Sequence, residues 1–220
     1  MRLSKNQVFK VFVLFFICLW FGGPLFTQPG APQVKNLDEM TGSISAQLPG
    51  ILENIPANEE DKFGFKNREE FSLASLGLPY QEYSLDRDTP TGYWRVPVTV
   101  ADENRVLVRV KMENGQWKFA GLSGAGLAKE LGFLEKFIAG DKPAWGRIVR
   151  DFEMQCDYIQ YSSPSESKLS GYIYPMESAA RILLRSNISI EKRGFPVTQI
   201  REFRMNLLQS PGEYAPAEAK

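Results

Sequence analysis

"YWRVPVTVADENRVLVRVKMENGQWKFAG", residues 93–121, reads as three consecutive strands, and the fold follows from how they pair. Asn114-Gly115 marks a two-residue hairpin, because both central positions of such a turn need positive φ. That turn sets Glu113 opposite Gln116, Met112 opposite Trp117 and Val110 opposite Phe119, so that Met112, Trp117, Val110 and Phe119 share one face. Upstream, Trp94, Val96, Val98 and Val100 alternate along the first strand. A three-residue loop at 102–104, with Asn104 in the left-handed position, would pair Val100 with Val106, Val98 with Val108 and Val96 with Val110. The apolar faces of all three strands then coincide, and a slip of one residue would destroy the match.

The opposite face is basic. Arg95, Arg105, Arg109, Lys111 and Lys118 lie there, with Thr99, Leu107 and Ala120 between them. In this register Arg95 faces Lys111, and Lys111 faces Lys118. Like charges paired across strands cost about 0.2–1 kcal/mol relative to a neutral pair. Two arrangements would offset that cost. One is an anionic partner, such as an acidic protein, a phospholipid headgroup or an envelope polymer. The other is internal, with Asp151, Glu153 and Asp157 on a neighbouring strand and Glu82 on the strand before. The internal arrangement is the commoner one, since opposite charges on adjacent strands are ordinary sheet stabilisation.

Around this meander the chain alternates helical and strand patterns. Val34, Leu37, Met40, Ile44 and Leu48 form one helical stripe, interrupted at Pro49 and resumed by Ile51, Leu52 and Ile55. The interruption predicts a kink or a second short helix, in an amphipathic arm that either packs on the sheet or serves as a stalk. Asn67 and Glu70 form a reciprocal capping pattern for a short helix over 68–76. Residues 80–86 read as a strand. Leu127, Leu131, Leu134 and Ile138 define a helix that should cover the apolar sheet face, and residues 147–161 alternate as one half-buried strand. Residues 171–174 form a short strand, Pro175 opens a helix ending near Asn187, and 188–208 read as a strand followed by a helix. Residues 211–220 have the composition of a disordered tail.

Residues 1–31 differ from everything after them. Arg2, Lys5 and Lys10 precede the unbroken apolar run "VFVLFFICLWF" at 11–21, the layout of a secretory signal. The small-x-small cleavage site expected after it is poor, so an uncleaved anchor over residues 11–26 is the alternative. Those 16 residues would make about 24 Å of helix, against a hydrocarbon core of roughly 30 Å. Either form puts residues 32–210, read as a single domain, outside the cytoplasm, periplasmic or secreted.

Composition excludes more chemistry than it suggests. The chain has no histidine, which removes His triads and the usual zinc hydrolase sites. Cys156 is the only cysteine beyond the apolar leader, so the exported part can form no internal disulfide. Basic and acidic residues balance at 26 each, giving no general attraction to nucleic acid. Ser165 and Lys168 match the S-x-x-K spacing of a serine nucleophile with a lysine base, but within a loop composition. Asp86 and Asp88 could offer oxygens to a cation, although Asp in a turn more often organises its own backbone. Residues 121–126, "GLSGAG", join a strand to a helix without a phosphate-loop pattern.

These observations predict an α+β domain: an antiparallel sheet of four to six strands with helices mainly on one face. At the level of fold alone it is similar to small cystatin-like or NTF2-like rolls, which implies no activity. The expected function is a non-catalytic binding or assembly domain of the cell envelope, exported and either released or tethered. Its expected partner is a protein or an anionic envelope component, met through Arg95, Arg105, Arg109, Lys111 and Lys118, with no cofactor, metal or catalytic residues. The alternatives are a carrier of an amphiphile in a cavity lined by Trp94, Trp117 and Leu131, or a His-free hydrolase using carboxylates or Ser165/Lys168.

Overall fold

The computed structural model describes residues 35–139, 146–161, 168–190 and 194–209. The leader at 1–31, the tail at 211–220 and Ser165 therefore lie outside the described residues. The chain is α+β. Its nine described strands are β1 (Ser75–Leu76), β2 (Tyr80–Ser84), β3 (Thr89–Val100), β4 (Glu103–Glu113), β5 (Gln116–Leu122), β6 (Gly146–Asp151), β7 (Cys156–Tyr161), β8 (Tyr172–Pro175) and β9 (Phe195–Pro196). They form one open sheet in the order β5-β4-β3-β2-β6-β7-β8-β9, with β1 also paired to β3.

The sheet is larger than the expected four to six strands, and it is mixed. Residues Gln81 to Ser84 of β2 run parallel to Arg147 to Arg150 of β6, while every other described pair is antiparallel. Between β2 and β6 the chain completes the β3–β5 meander and a helix before returning to the middle of the sheet. An excursion of that length is what parallel neighbours require, and no local pattern announces where it ends. The extra strands β1 and β9 have two residues each, too few to show alternation.

The meander keeps its faces but not its expected register. Val96 faces Val108, Val98 faces Val106 and Trp94 faces Val110, each pairing offset by two residues. Arg95 consequently faces Arg109 instead of Lys111. The connection is a two-residue turn in which Ala101 and Asp102 take φ of 50° and 62°, followed by a bulge at Asn104–Arg105. The second turn is as expected: Asn114 and Gly115 have φ of 52° and 75°, and Met112 faces Trp117, Val110 faces Phe119 and Lys111 faces Lys118.

Helix α1 (Lys35–Glu53) packs on the valine face. Leu37, Met40, Ile44, Leu48, Ile51, Leu52 and Ile55 are buried against Trp94, Val96, Val98, Val100, Val106, Val108, Val110 and Trp117. Each such side chain contributes about 1.5–3 kcal/mol on burial, so residues 37–55 are part of the domain core and not a stalk. Pro49 does not start a second helix; α1 runs through it. Pro49 and Ser45, whose carbonyl loses its donor, both lie on the exposed side, where water replaces the missing hydrogen bond.

Helix α2 (Ala125–Leu134), continued by a wider turn at Glu135–Ala139, lies on the opposite face from α1 and not over the valines. Ala128 and Leu131 pack with Leu107, Tyr80, Ile148, Ile159 and Met176. Leu107 projects between the basic residues, so part of the basic face is covered by α2, and helices occupy both sides of the sheet. Gly146, which opens β6, is required by this packing. A Cβ there would stand 2.2 Å from Cε1 of Tyr80.

Helices α3 (Glu177–Arg185) and α4 (Val197–Gln209) enclose a further core at the β6–β9 end. Tyr83, Val149, Cys156, Tyr158, Ile173, Leu183, Phe195 and Ile200 meet there. The expected single strand over 147–161 is instead the hairpin β6–β7. Asp151 accepts the N–H groups of Glu153 and Met154 at 3.0 Å each and so shapes the turn, with Gln155 at φ of 51°. A short local turn replaces the expected helix over 68–76: Arg68–Leu73 forms a single tight helical segment and Ser75–Leu76 joins the sheet. The strand expected to begin at Ile188 is not formed there; pairing occurs at Phe195–Pro196.

Candidate functional site

The basic stripe is built into an ion-pair row that crosses five adjacent strands. Glu82 on β2 has no exposed surface. Its Oε2 accepts Nε of Arg95 at 2.9 Å, and its Oε1 accepts Nη2 of Arg109 at 2.7 Å and the Thr91 hydroxyl at 3.0 Å. Arg95 continues to Asp157 on β7 at 3.4 Å, and Arg150 on β6 reaches the other Asp157 oxygen at 2.8 Å. The guanidinium of Arg109 also lies 3.6 Å from the ring centre of Tyr93, a cation–π contact. Burial raises the proton affinity of the Glu82 carboxyl, but the Arg95 and Arg109 guanidiniums outweigh it and hold the group below the usual carboxylate range. Glu82 is therefore a fixed counter-ion rather than a group poised to exchange protons near neutrality.

The remaining members of the stripe have their own acids. Arg105 is held by Glu70 at 3.0 Å and Glu103 at 2.7 Å. Lys111 and Lys118, directly opposed across the hairpin, share Glu113 at 3.1 and 3.7 Å. Of the four acids expected beside the stripe, Glu82 and Asp157 are there. Asp151 and Glu153 instead pair with Arg204 of α4, at 3.1 and 2.5 Å. Glu113 was missed although its signal is local: it sits two residues from Lys111 on the same strand and therefore on the same side. Glu70 and Arg204 carried no such signal, because their contacts depend on long-range packing.

Asp86 pairs with Arg204 at 2.7 Å, while Asp88 accepts the Leu169 N–H at 2.7 Å and lies 3.3 Å from Arg201. No group of acids, Cys or His among the described residues is arranged to hold a metal ion. In the 121–126 loop, Ser123 exchanges two hydrogen bonds with the Leu107 backbone, at 2.9 and 3.1 Å. Lys168 is exposed. Burial pushes the Cys156 thiol up to about 12, so at neutral pH it is not a nucleophile. Trp94 and Trp117 belong to the core under α1, whereas Leu131 belongs to the core under α2 on the other side of the sheet, so the three do not line one cavity.

One surface that the sequence analysis did not single out lies on α2 and its continuation. Glu130 turns inward to accept the Glu177 N–H, and Glu135 accepts the Tyr80 hydroxyl and, at 3.2 Å, the Asn104 amide. Lys129, Phe133, Lys136 and Phe137 point outward. The two rings stack with centres 5.9 Å apart and remain 66% and 52% exposed. Lys129, Phe133 and Lys136 form one wall of a shallow groove of about 390 Å³, with Asp102, Glu103 and Arg105 opposite. The available signal was the spacing 129, 133, 136 and 137, which marks one helical stripe on the side away from Leu131.

No known protein family, no curated protein and no solved structure matches the chain.

Proposed function

We propose that the protein is a non-catalytic binding or assembly domain of the cell envelope, exported by its N-terminal segment and tethered by residues 11–26. The observation that carries the non-catalytic part is the ion-pair row. Glu82 and Asp157, the carboxylates central to the sheet, are each held between two arginines. Glu82, held below the usual carboxylate range by its two arginines, has little capacity to act as a general acid or base near pH 7. The absence of histidine and the suppressed thiol of Cys156 point the same way. Export is supported by Arg2, Lys5 and Lys10 ahead of the apolar run at 11–21. No described helix is long and apolar enough to cross a membrane, and residues 11–26 are not among those described.

Fractionation of cells producing the full chain tests the proposal. The protein should sediment with membranes, resist extraction by high salt, dissolve in detergent, and be digested by protease added outside the cytoplasmic membrane. Its N-terminal sequence should begin before residue 11. Recovery of residues 32–220 in the cytoplasm would remove the basis of the reading.

A further inference from the structure

We propose that residues 201–209 of α4 form a strap held to the sheet by ion pairs, and that this strap opens as a local unit, hinged at residues 195–200. Opening uncovers the core around Cys156 while the rest of the domain stays folded. The inference is independent of export and of the N-terminal segment.

The first argument is where α4 is buried. Of its 13 residues, Val197 and Ile200 are the buried ones, and both lie in the first turn. From residue 201 onward no position is buried, Phe203 packs only in part, and Met205 and Leu208 are 48% and 42% exposed. Helix α1, by contrast, buries Leu37, Met40, Ile44, Leu48, Ile51 and Leu52 along its whole length. Tertiary packing of an apolar face supplies most of the stability of a helix in a protein. A segment with few buried apolar contacts belongs to the least stable part of a fold and opens without global unfolding.

The second argument is what holds the segment instead. Arg204 reaches Asp86 at 2.7 Å and Glu153 at 2.5 Å through Nη2, and Asp151 at 3.1 Å through Nε. Arg201, one helical turn earlier, donates to the Leu85 carbonyl at 3.2 Å and lies 3.3 Å from Asp88. Asp86 and Asp88 follow β2, while Asp151 ends β6 and Glu153 lies in the turn after it. Both groups of acids therefore stand at the C-terminal end of the parallel β2–β6 pair. The side chains of Asp86, Asp88 and Glu153 are 28%, 27% and 57% exposed, and pairs with such members are weak singly and screened by salt. Lifting the strap returns both guanidiniums to water, and Asp151 keeps the N–H groups of Glu153 and Met154. No arginine is stranded without solvent, unlike the partners of Glu82, so opening avoids the cost of an uncompensated buried cation. Cys156 faces Asp151 across β6–β7 and shares a core with Val197 and Ile200, against which Phe203 packs. Its thiol therefore reports on the strap.

The test measures amide hydrogen exchange and thiol labelling on the full chain in a Cys18→Ser background, in which Cys156 is the only thiol. Exchange is normalised to the unfolded chain, and the amides of α1 report global unfolding. At low salt, residues 201–209 should exchange at least about tenfold faster than the buried turns of α1. Raising sodium chloride from about 0.05 M to about 1 M should speed both exchange at 201–209 and labelling of Cys156 severalfold, with α1 unchanged. Arg204→Gln should have the same effect at low salt, by about tenfold. Asp86→Asn combined with Glu153→Gln, which leaves Arg204 in place, should act in the same direction. Exchange at 201–209 as slow as that of α1 overturns the strap. A variant that speeds α1 and 201–209 equally shows that Arg204 supports the whole fold, and overturns local opening. Fast exchange at 201–209 that neither salt nor the charge variants change overturns the ion pairs as what holds the segment. Labelling of Cys156 that follows α1 instead of 201–209 overturns the strap as the cover of that core.

Discussion

Glu82 shows how one residue organises a face of the sheet. It is the shared acceptor of Arg95 and Arg109 and has no exposed surface, so removing its charge would strand two guanidiniums, one of them itself buried. Glu82→Gln should lower stability by about 3–5 kcal/mol, the usual consequence of breaking rather than replacing a buried pair, measured by denaturant unfolding. The pH dependence has a definite sign. Because its carboxyl titrates below the ordinary value when folded, the stability it confers is fully present above the unfolded carboxylate range and is lost as pH falls through the folded value. The Gln variant should therefore show a shallower acid limb; an unchanged limb would remove Glu82 as its cause. In the sequence Glu82 was legible only as one of several acids within reach of the stripe. Its central position depends on β2 lying between β3 and β6, a fact no local pattern contains.

At the scale of elements, the β3–β4 hairpin shows why a correct face can accompany an incorrect register. Side chains alternate with a period of two, so sliding β3 along β4 by two residues keeps every valine on its own side. The hydrophobic pattern is blind to that slide, and only the turn distinguishes the alternatives. Asn114-Gly115 declares its turn because both residues suit positive φ. Ala101-Asp102 adopts the same backbone signs with a residue, alanine, that pays about 1–2 kcal/mol for a left-handed conformation. Ala101→Asn combined with Asp102→Gly should therefore stabilise the protein by roughly 1 kcal/mol, read as a higher midpoint in thermal or denaturant unfolding. Destabilisation would favour the three-residue loop and the offset register. The β6–β7 hairpin concealed itself for a related reason: its turn residues continue the alternation of its strands, and the Asp151 side chain that closes the turn looks like another outward-facing acid.

For the molecule as a whole, the instructive contact is the one between α2 and α3. The N-cap position of α3, Met176, offers no side-chain acceptor, and Glu130 reaches across from α2 to take the Glu177 N–H, so a capping role usually filled within a helix is filled by a neighbour. Which residues build α2 was legible from Leu127, Leu131 and Ile138; which sheet face it would cover was not, because Leu107 stood alone among charged neighbours and gave no apolar stripe to match. The contact makes stability depend on pH in the direction opposite to Glu82. Burial pushes the Glu130 carboxyl up to about 7 from an unfolded value of 4.5; the nearby Glu177 and Asp157 charges reinforce the rise, while the Glu177 N–H and Arg181 oppose it. Between those two values the folded chain holds the proton more often than the unfolded one, so stability declines as pH rises through the window and stays lower above it. Glu130→Gln keeps an oxygen for the Glu177 N–H and removes the titration. Its melting temperature should match the parent protein near pH 4, exceed it at pH 8, and diverge between about 4.5 and 7. A difference that is constant across pH would show that Glu130 acts through packing alone, and that its carboxyl is not what couples α2 and the α3 terminus to proton concentration.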